Sequence, residues 1–305
     1  MKKLTIIVPS YNEEKNIRPF YEETTRFLTN PGYEFQILYI NDGSKDATLA
    51  EIKKLAVEDS RVKFLSFSRN FGKESAMQAG LEHAQASDAV ILIDCDLQQP
   101  PALIPEMIKY YEEGYKIVYT KGKSRKGEPK LRTVFANLYY RLYNKYTDRP
   151  LDNGAKDFQL LDRQVVEAFL SLKDNLRFMK GIFSWVGFKR HCLEYDFIPR
   201  KLGKSSWSFK SLFKYGFNGM NQFSTVLMIL PALAFLLGWL MLAANIALYA
   251  THVFNMALFL LTLELNLVFL TLTVLCYAIF YLLYQLRRQT LDRPIYLVEE
   301  ASEDL

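Results

Sequence analysis

Cysteine and histidine are scarce in this chain, which has three of each among 305 residues. Cys95, Cys192 and Cys276 lie far apart in the sequence, so they provide neither a CxxC metal site nor a disulfide framework. Fourteen Gly, eleven Pro and 23% charged residues exclude collagen-like, low-complexity and mostly disordered chains. We expect a folded protein whose polar part lies in a reducing compartment.

Charged residues are absent from two long stretches near the C-terminus, between Tyr215 and Leu263 and between Leu265 and Leu286. At about 1.5 Å per residue, apolar helices of this length can cross roughly 30 Å of hydrocarbon. The sequence therefore predicts two transmembrane helices, near Phe223–Tyr249 and Met256–Tyr284. Glu264 is the one carboxylate inside a predicted span, and we interpret it as a hydrogen-bonding partner of a neighbouring helix.

Lysine and arginine crowd the outer flanks of these stretches, whereas the link between them has neither. The positive-inside rule then places the preceding polar region and both termini in the cytoplasm. Because no secretory signal precedes the first strand-like run, we expect a protein of the cytoplasmic membrane. The predicted units are an α/β domain (1–200), a juxtamembrane interfacial segment (201–222), two transmembrane helices (223–286) and a cytoplasmic tail (287–305).

Short apolar runs alternate with longer amphipathic ones from residue 1 to about residue 120, the pattern of a mostly parallel sheet flanked by helices. This pattern predicts an α/β fold of the Rossmann-like type. The predicted strands are Leu4–Pro9, Phe35–Asn41, Val62–Ser66, Ala89–Asp94 and Ile117–Thr120. The predicted helices are Glu13–Leu28, Asp46–Glu58, Lys73–Gln85 and Pro101–Glu113.

A basic and aromatic amphipathic helix is predicted over residues 130–147. Val134 and Leu138 recur at helical spacing, and Arg132 and Arg141 lie beside them. Such a helix is typical of a membrane surface. The same pattern also fits a helix packed on the sheet with solvated basic edges, so both interpretations stay open.

Polar or acidic side chains follow four successive predicted strands. In an open parallel sheet, ligands bind outside the carboxyl ends of the strands, so four such ends together indicate a site. Asp94 and Asp96 are separated by one residue at the end of the fourth strand. Two carboxylates in that arrangement can share a hard divalent cation with substrate phosphates. The four groups are Ser10 to Glu13, Asp42 to Ser44, Ser68 to Asn70 and Asp94 to Asp96.

Five blocks of sequence fall on or beside these strand ends. They are IIVPSYNEEKNI (Ile6–Ile17), NDGS (Asn41–Ser44), SRNFGKESA (Ser68–Ala76), DCDLQQPP (Asp94–Pro101) and KDFQLLDR (Lys156–Arg163). In this order they resemble the family 2 glycosyltransferases of the GT-A fold. Within that family the chain is similar to the polyprenyl-phosphate sugar transferases, which include bactoprenol glucosyltransferases and dolichol-phosphate mannose synthases. The segment LGKSSWSFKSLFKYG extends the resemblance over nearly the whole chain.

The resemblance implies a GT-A catalytic domain whose strand ends bind a nucleotide sugar and Mg2+ or Mn2+. From the residues alone other uses stay open: Asp42 can cap a helix, Glu13 can supply negative charge to a helix N-terminus, and Tyr11 can be a rim aromatic. The residues implied to bind the nucleotide sugar are Pro9, Tyr11, Glu13, Asp42, Lys73, Asp94 and Gln98, and those implied to bind the metal are Asp94 and Asp96.

Asp157 and Asp96 are the residues to which the resemblance assigns catalytic roles. Asp157 lies where the family has an acid near the acceptor, as a base or as an orienting residue. A phosphate monoester has a second pKa near about 6, so at neutral pH it is already largely ionised and needs a base less than a sugar hydroxyl does. The candidates for binding the acceptor phosphate are Arg200, Lys204, Ser206, Arg132 and Arg141.

The implied function is inverting transfer of one sugar, glucose from UDP-glucose, to polyprenyl (undecaprenyl) phosphate at the cytoplasmic face of the membrane. A transferase for GDP-mannose or an amino sugar is the alternative within the class. A non-catalytic membrane scaffold that binds nucleotide sugars is the alternative outside it, although such a scaffold would not need Asp94, Asp96 and Asp157 together. A homo-oligomer stays open. Nucleic acid is not an expected partner, because the basic residues cluster beside the predicted spans.

Overall fold

The structure is a computed structural model, and it describes residues 1–123, 130–147, 150–172, 178–196, 209–223, 254–290, 296 and 298–302, with 233, 236 and 240. Its strands are β1 (Lys2–Ser10), β2 (Tyr33–Asn41), β3 (Val62–Phe67), β4 (Ala89–Leu92), β5 (Ile117–Gly122), β6 (Ala155–Asp162), β7 (Arg190–Tyr195) and β8 (Val298–Ala301). Its α-helices are α1 (Ile17–Thr25), α2 (Thr48–Glu58), α3 (Lys73–His83), α4 (Ile104–Glu112), α5 (Lys130–Lys145), α6 (Arg163–Ser171), α7 (Met179–Trp185), α8 (Phe209–Phe223) and α9 (Phe254–Thr290).

The strands pair into one sheet in the order β7-β5-β6-β4-β1-β2-β3-β8. β1 pairs in parallel with both β2 and β4, β2 pairs in parallel with β3, and β5 pairs in parallel with β7. β6 is antiparallel to its neighbours β4 and β5, and β8 is antiparallel to β3. The predicted α/β fold with a mostly parallel sheet is therefore confirmed.

Each of the five predicted strands is present, with ends that lie within two residues of the prediction. The four predicted helices are present too, although the first begins at Ile17 instead of Glu13 and the fourth opens with a 3-10 turn, Pro101–Leu103. Gly114 follows α4 with a φ of 90°, a conformation that ends a helix readily in glycine. Five elements beyond residue 150 did not follow from the apolar pattern: β6, α6, α7, β7 and β8.

Alternate residues of β1 enter the two cores on opposite faces of the sheet. Ile6 and Val8 belong to the core under α1, α2 and α4, whereas Ile7 belongs to the core under α3, α6 and α7. On the second face α3 lies close to β1, because a Cβ at Gly80 would fall 2.2 Å from Cγ2 of Ile7. This close packing fixes the N-terminus of α3 over the carboxyl edge of the sheet.

The C-terminal segment is part of the sheet. β8 covers the edge of β3, and the Ser302 N–H donates to the Phe64 carbonyl at 3.0 Å. The ring of Tyr296 stacks on Phe67 at 4.9 Å, and its hydroxyl donates to Glu82 of α3. The prediction of a cytoplasmic tail over 287–305 did not include this strand, which pairs backbone groups that an open edge would expose.

Replacing Tyr296 by alanine is expected to lower the free energy of unfolding by about 1–3 kcal/mol, because a half-buried ring loses its stacking partner. Replacing it by phenylalanine keeps the ring and removes only the bond to Glu82, an expected loss of about 0.5–1.5 kcal/mol. Urea unfolding of the purified variants measures both. Equal stability of the alanine variant and the wild type would show that the Tyr296 ring adds nothing to the stability of the fold.

Helix α5 is present, and its aliphatic side chains face outward. Val134, Phe135 and Leu138 are 62%, 54% and 49% exposed, whereas Tyr143 is fully buried beside Tyr139. The buried side of α5 is formed by its tyrosines, which cluster with Leu151 and Phe178. Both interpretations of this helix stay predictions.

The structure describes the two predicted spans to different extents. The one near Phe223–Tyr249 falls almost entirely outside the described residues, and the one near Met256–Tyr284 falls within α9. In the part of the chain that the structure describes, no helix was found that has both the length and the apolar character needed to cross a membrane. The two predicted spans are therefore not confirmed.

Candidate active site

Two aspartates and a lysine from three different elements meet at the carboxyl edge of the parallel strands. Lys73 begins α3, and its Nζ lies 2.7 Å from Oδ1 of Asp94 and 2.6 Å from Oδ2 of Asp157. Asp94 lies two residues after the end of β4. Asp157 is near the start of β6, and because β6 runs antiparallel to β4 its first residues reach the same edge.

Lys180 of α7 extends this arrangement on the far side of Asp157. Its Nζ lies 3.7 Å from Oδ1 of Asp157 and donates to the carbonyl of Ala155 at 3.1 Å. Asp94, Lys73, Asp157 and Lys180 thus form a row of alternating charge, which we name the charge row. The sequence had one signal for Lys180, a lone lysine in the apolar run 178–185.

The charge row determines the ionisation of its members. Burial alone would raise the pKa of Asp157, but the positive charges of Lys73 and Lys180 hold that pKa well below its usual range. Burial would likewise lower the pKa of Lys73, and the carboxylates of Asp157 and Asp94 raise it instead. Because a carboxylate with a low pKa is a weak base, the geometry favours an orienting role for Asp157 over proton abstraction.

The loop after β4 holds the two aspartates of the DCD block. The Gln99 amide donates to Oδ2 of Asp94 at 3.3 Å, and the Gln98 backbone N–H donates to Oδ1 of Asp96 at 3.2 Å. Leu97, between Asp96 and Gln98, has a φ of 55°, a left-handed conformation that costs a non-glycine residue roughly 1–3 kcal/mol. The loop therefore keeps a strained backbone at the point where both carboxylates leave the strand.

Asp94 and Asp96 fit the donor set of Mg2+ or Mn2+. Within the described residues, no group of three or more His, Cys, Asp or Glu side chains is placed to hold a metal ion. A site for Mg2+ and a nucleotide does not need such a group, because Mg2+ is usually bound by one or two carboxylates, substrate phosphates and water. The oxygens of Asp94 already hold a cation, the Lys73 ammonium, at 2.7 and 2.8 Å.

Asp42 anchors the loop that leads into α3. The side chain is 3% exposed, and its two oxygens accept from the backbone N–H groups of Phe71 at 2.6 Å and Gly72 at 2.9 Å. Burial raises the pKa of Asp42 to about 6, against the lowering effect of these bonds. The alternative of a helix cap is wrong, because Oδ1 of Asp46 accepts from the Thr48 N–H at the start of α2.

Gly43 lets this anchor form. Its φ is +63°, and a Cβ there would lie 2.2 Å from the carbonyl carbon of Arg69. Replacing Gly43 by alanine is expected to cost roughly 1–3 kcal/mol from backbone conformation, with the clash in addition. We expect weaker binding of a nucleotide sugar as well, because the displaced loop carries Lys73. Calorimetric unfolding and titration with UDP-glucose check both effects, and unchanged values would show that the loop can move freely.

Pro9, Tyr11 and Glu13 lie at the same edge, at the end of β1 and in the loop after it. Pro9 is opposite Ile40 in the β1–β2 register, and Tyr11 is half-buried. The Glu13 backbone N–H donates to the Thr48 hydroxyl at 2.8 Å, which ties the loop after β1 to the start of α2. These three predicted nucleoside-binding residues therefore lie together beside the loop that contains Asp42.

Of the predicted acceptor residues, one has a side chain that the structure describes, Arg141. The Arg141 side chain is exposed on α5, and Arg132 lies on the same helix with a side chain outside the described residues. Arg200, Lys204 and Ser206 also lie outside them.

Lys180 and Tyr195 are near the aspartates and were not predicted. Tyr195, at the end of β7, is 6% exposed, and its pKa is raised by burial and then by the charges of Asp94, Asp96 and Asp157.

A pocket of about 50 Å³ opens beside Asp157. Three of its lining residues are basic, Lys156, Lys180 and Arg190, and two are acidic, Asp152 and Asp157. Arg190 lies 3.5 Å from Asp152, and Lys180 lies 3.7 Å from Asp157. A concave surface with several cations suits an anion such as a phosphate group.

These features together are typical of an α/β enzyme whose site lies at the carboxyl edge of its sheet. The chain belongs to glycosyl transferase family 2, whose model matches residues 5–170. The fold is therefore GT-A-like, the chain is a glycosyltransferase, and the resemblance of the five sequence blocks is confirmed.

Curated relatives cover most of the chain. The putative glycosyltransferase CsbB of Bacillus subtilis (strain 168) is 47% identical over 221 residues, which are 72% of this chain and 67% of that protein. The bactoprenol glucosyl transferase of Shigella phage SfV is 42% identical over 223 residues, 73% of this chain and 72% of that protein. Among solved structures, glucosyl-3-phosphoglycerate synthase from Mycobacterium tuberculosis has a TM-score of 0.47 at 18% identity, over 72% of this chain and 79% of that one, too weak an overlap to bear on function.

Proposed function

We propose that this glycosyltransferase moves one glucose residue from UDP-glucose to polyprenyl phosphate, with inversion at the anomeric carbon. The observation that carries the proposal is the charge row, because it joins an acidic donor side at Asp94 to a basic side at Lys180. Similarity to bactoprenol glucosyl transferases supports glucose and a polyprenyl phosphate as the two substrates.

The donor side consists of the strand-end loops. Asp94 and Asp96 would hold Mg2+ or Mn2+, which when bound would neutralise the diphosphate of the departing nucleotide. The nucleoside would bind at the loops after β1 and β2, which contain Tyr11, Glu13 and the anchor Asp42. Lys73 stays between the two sides because both Asp94 and Asp157 hold its ammonium group.

The acceptor side consists of the pocket beside Asp157. A phosphate oxygen of the acceptor attacks the anomeric carbon, and the bond from that carbon to the diphosphate oxygen breaks with its electron pair leaving on UDP. The attacking phosphate is largely ionised at neutral pH, so no proton has to be removed. Lys180, with Lys156 and Arg190 in the same wall, would bind that phosphate, and ionised Asp157 would orient Lys180.

We place the enzyme at the cytoplasmic face of the membrane. The outward apolar face of α5, with Val134, Phe135 and Leu138 exposed, supports contact with lipid. The long charge-free stretches and their basic flanks support the same location. An acceptor phosphate that arrives from the membrane would then reach a site whose neighbouring helix already lies at the surface.

Two alternatives make different demands on this site. A transferase for GDP-mannose or an amino sugar would use the same charge row with a different nucleoside or sugar pocket. A non-catalytic scaffold that binds nucleotide sugars has no need of an ionised aspartate held between two lysines.

The test is transfer of radiolabelled sugar to undecaprenyl phosphate by detergent-purified protein, with a panel of UDP- and GDP-sugars. We expect a lipid product from UDP-glucose that disappears in EDTA and returns with excess Mg2+ or Mn2+. A product from GDP-mannose alone would show that the donor is GDP-mannose and not UDP-glucose. Absence of product with every donor, while nucleotide binding persists, would overturn the catalytic proposal in favour of the scaffold.

A further inference from the structure

Glu74 is a half-buried acid that the proposed reaction does not use. It lies in the first turn of α3, next to Lys73. Its Oε2 accepts from the backbone N–H of Met179 at 3.1 Å, and its carboxyl group is hydrogen-bonded to the Tyr215 hydroxyl of α8. One side chain thus joins three helices: α3, α7 and α8.

The two residues joined by the backbone bond are sequence neighbours of the two lysines in the charge row. Glu74 follows Lys73, and Met179 precedes Lys180. The hydrogen bond between Glu74 and Met179 therefore sets the separation of the helix ends from which the two ammonium groups reach the two oxygens of Asp157.

Helix α8 contacts the N-terminal end of α7 from the other side. The Phe178 backbone N–H, one residue before Met179, donates to the side chain of Gln222 at 3.1 Å. Gly219 allows the contact, because a Cβ there would lie 3.0 Å from the Phe178 ring and 2.9 Å from the Tyr139 hydroxyl of α5. The start of α7 is thus bound by Glu74 of α3 and by α8.

The charged and titratable groups that face Glu74 come from every element packed around it. Burial and the charge of Asp157 raise the pKa of Glu74 to about 8, so the carboxyl group is neutral at neutral pH. The other groups are Lys73 on its own helix, Lys180 of α7 and Tyr215 of α8, and Tyr140 of α5 acts in turn on Lys180 and Tyr215. A neutral carboxyl group, like an amide, has a carbonyl acceptor and a donor beside it, which makes glutamine the matched substitution.

We propose that Glu74 is a positioning residue for sugar transfer: it fixes Lys73 and Lys180 on either side of Asp157 and links their spacing to helix α8 through Tyr215. The inference deepens the proposed function and rests on it. Transfer depends on the spacing because misplacement of a reacting group by about 1 Å costs roughly a hundredfold in rate.

The test compares Glu74→Gln with Glu74→Leu in the full-length protein, with Glu82→Gln on the same helix as the control. Glu74→Gln is expected to keep kcat within about threefold, whereas Glu74→Leu, which removes both hydrogen bonds, is expected to lose about 30- to 100-fold in kcat. The KM for UDP-glucose should change little. Wild-type kcat should fall as pH rises through about 8, where Glu74 ionises, and Glu74→Gln should lack that fall.

A second measurement does not depend on the acceptor. Amine acetylation followed by mass spectrometry reports how firmly Lys73 and Lys180 are held, and Glu74→Leu should increase the labelling rate of both about tenfold or more, while Glu74→Gln should not. Wild-type protein inactive on undecaprenyl phosphate would refute the proposed function, and the labelling would still decide the inference. Equal kcat and equal labelling in Glu74→Leu and wild type would overturn it, as would a Glu74→Gln variant impaired as severely as Glu74→Leu.

Discussion

Replacing Asp96 by alanine is expected to reduce sugar transfer by about a thousandfold or more, the scale on which one electrostatic contact to a reacting group acts. Asp96 is half-buried in the loop after β4, where its Oδ1 accepts from the Gln98 N–H. The loss follows because the variant leaves Asp94 as the one carboxylate of the pair. Initial rates with UDP-glucose and undecaprenyl phosphate measure the effect over a range of Mn2+ concentrations.

The fold of the Asp96 variant should persist, since a strand-end side chain adds little to either core. Glu34→Gln is a suitable control, because Glu34 is exposed near the start of β2, at the opposite edge of the sheet. Its activity and thermal unfolding are expected to match the wild type. An Asp96→Ala protein that retained wild-type rates would remove Asp96 from the metal-binding pair.

Replacing Asp157 by asparagine is expected to lower kcat by about a hundredfold or more and also to destabilise the α/β domain. The substitution keeps the shape but removes the charge that Lys73 and Lys180 share. Breaking one partner out of a buried ion pair typically costs about 3–5 kcal/mol. We expect the lower part of that range here, because the Lys73 and Asp157 side chains are 24% and 22% exposed and Asp94 still pairs with Lys73.

The stability effect of Asp157→Asn should depend on pH in a defined direction. The pKa of Asp157 is lowered in the folded state, so its stabilising contribution is complete above the unfolded value near about 4 and is lost as pH falls toward the folded value. The difference in unfolding free energy between wild type and variant is therefore expected to be constant at neutral pH and to shrink below about pH 4. Urea unfolding at several pH values measures it. A difference that grew as pH fell would contradict the ion-pair assignment.

The low pKa of Asp157 also separates two mechanisms. If Asp157 were a general base, transfer would need a carboxylate whose pKa lies close to the working pH. A carboxylate held between two ammonium groups instead provides fixed charge and orientation. The acceptor explains why this is sufficient: a phosphate monoester arrives already ionised, whereas a sugar hydroxyl would not.

The amino-acid sequence by itself determined the α/β class, the five N-terminal strands and the four polar strand ends. These properties are local, because the alternation of apolar runs reports burial of each strand, and parallel strands place their carboxyl ends at one edge. The DCD block and the NDGS block are recognisable for the same reason. Each is a short contiguous run whose side chains act from one loop.

Tertiary structure alone decided which of these groups meet. Lys73 reads as the first residue of a helix, and its bonds to Asp94 and Asp157 depend on the packing of α3 over β1 at Gly80. Asp157 reaches the site because β6 runs antiparallel, a direction that no pattern within its own block encodes. The outward face of α5 was equally hidden, since its tyrosine stripe and its aliphatic stripe are both apolar enough to be buried.

Lys180, Tyr195 and the C-terminal strand β8 show the same limit more strongly. Each is separated from its partners by tens to hundreds of residues, as β8 is from β3, so no local period or spacing reports the contact. A sequence records which side chains can be buried or charged. Only the folded chain fixes which charges lie within a few ångströms of one another, because that distance depends on packing between elements far apart in sequence.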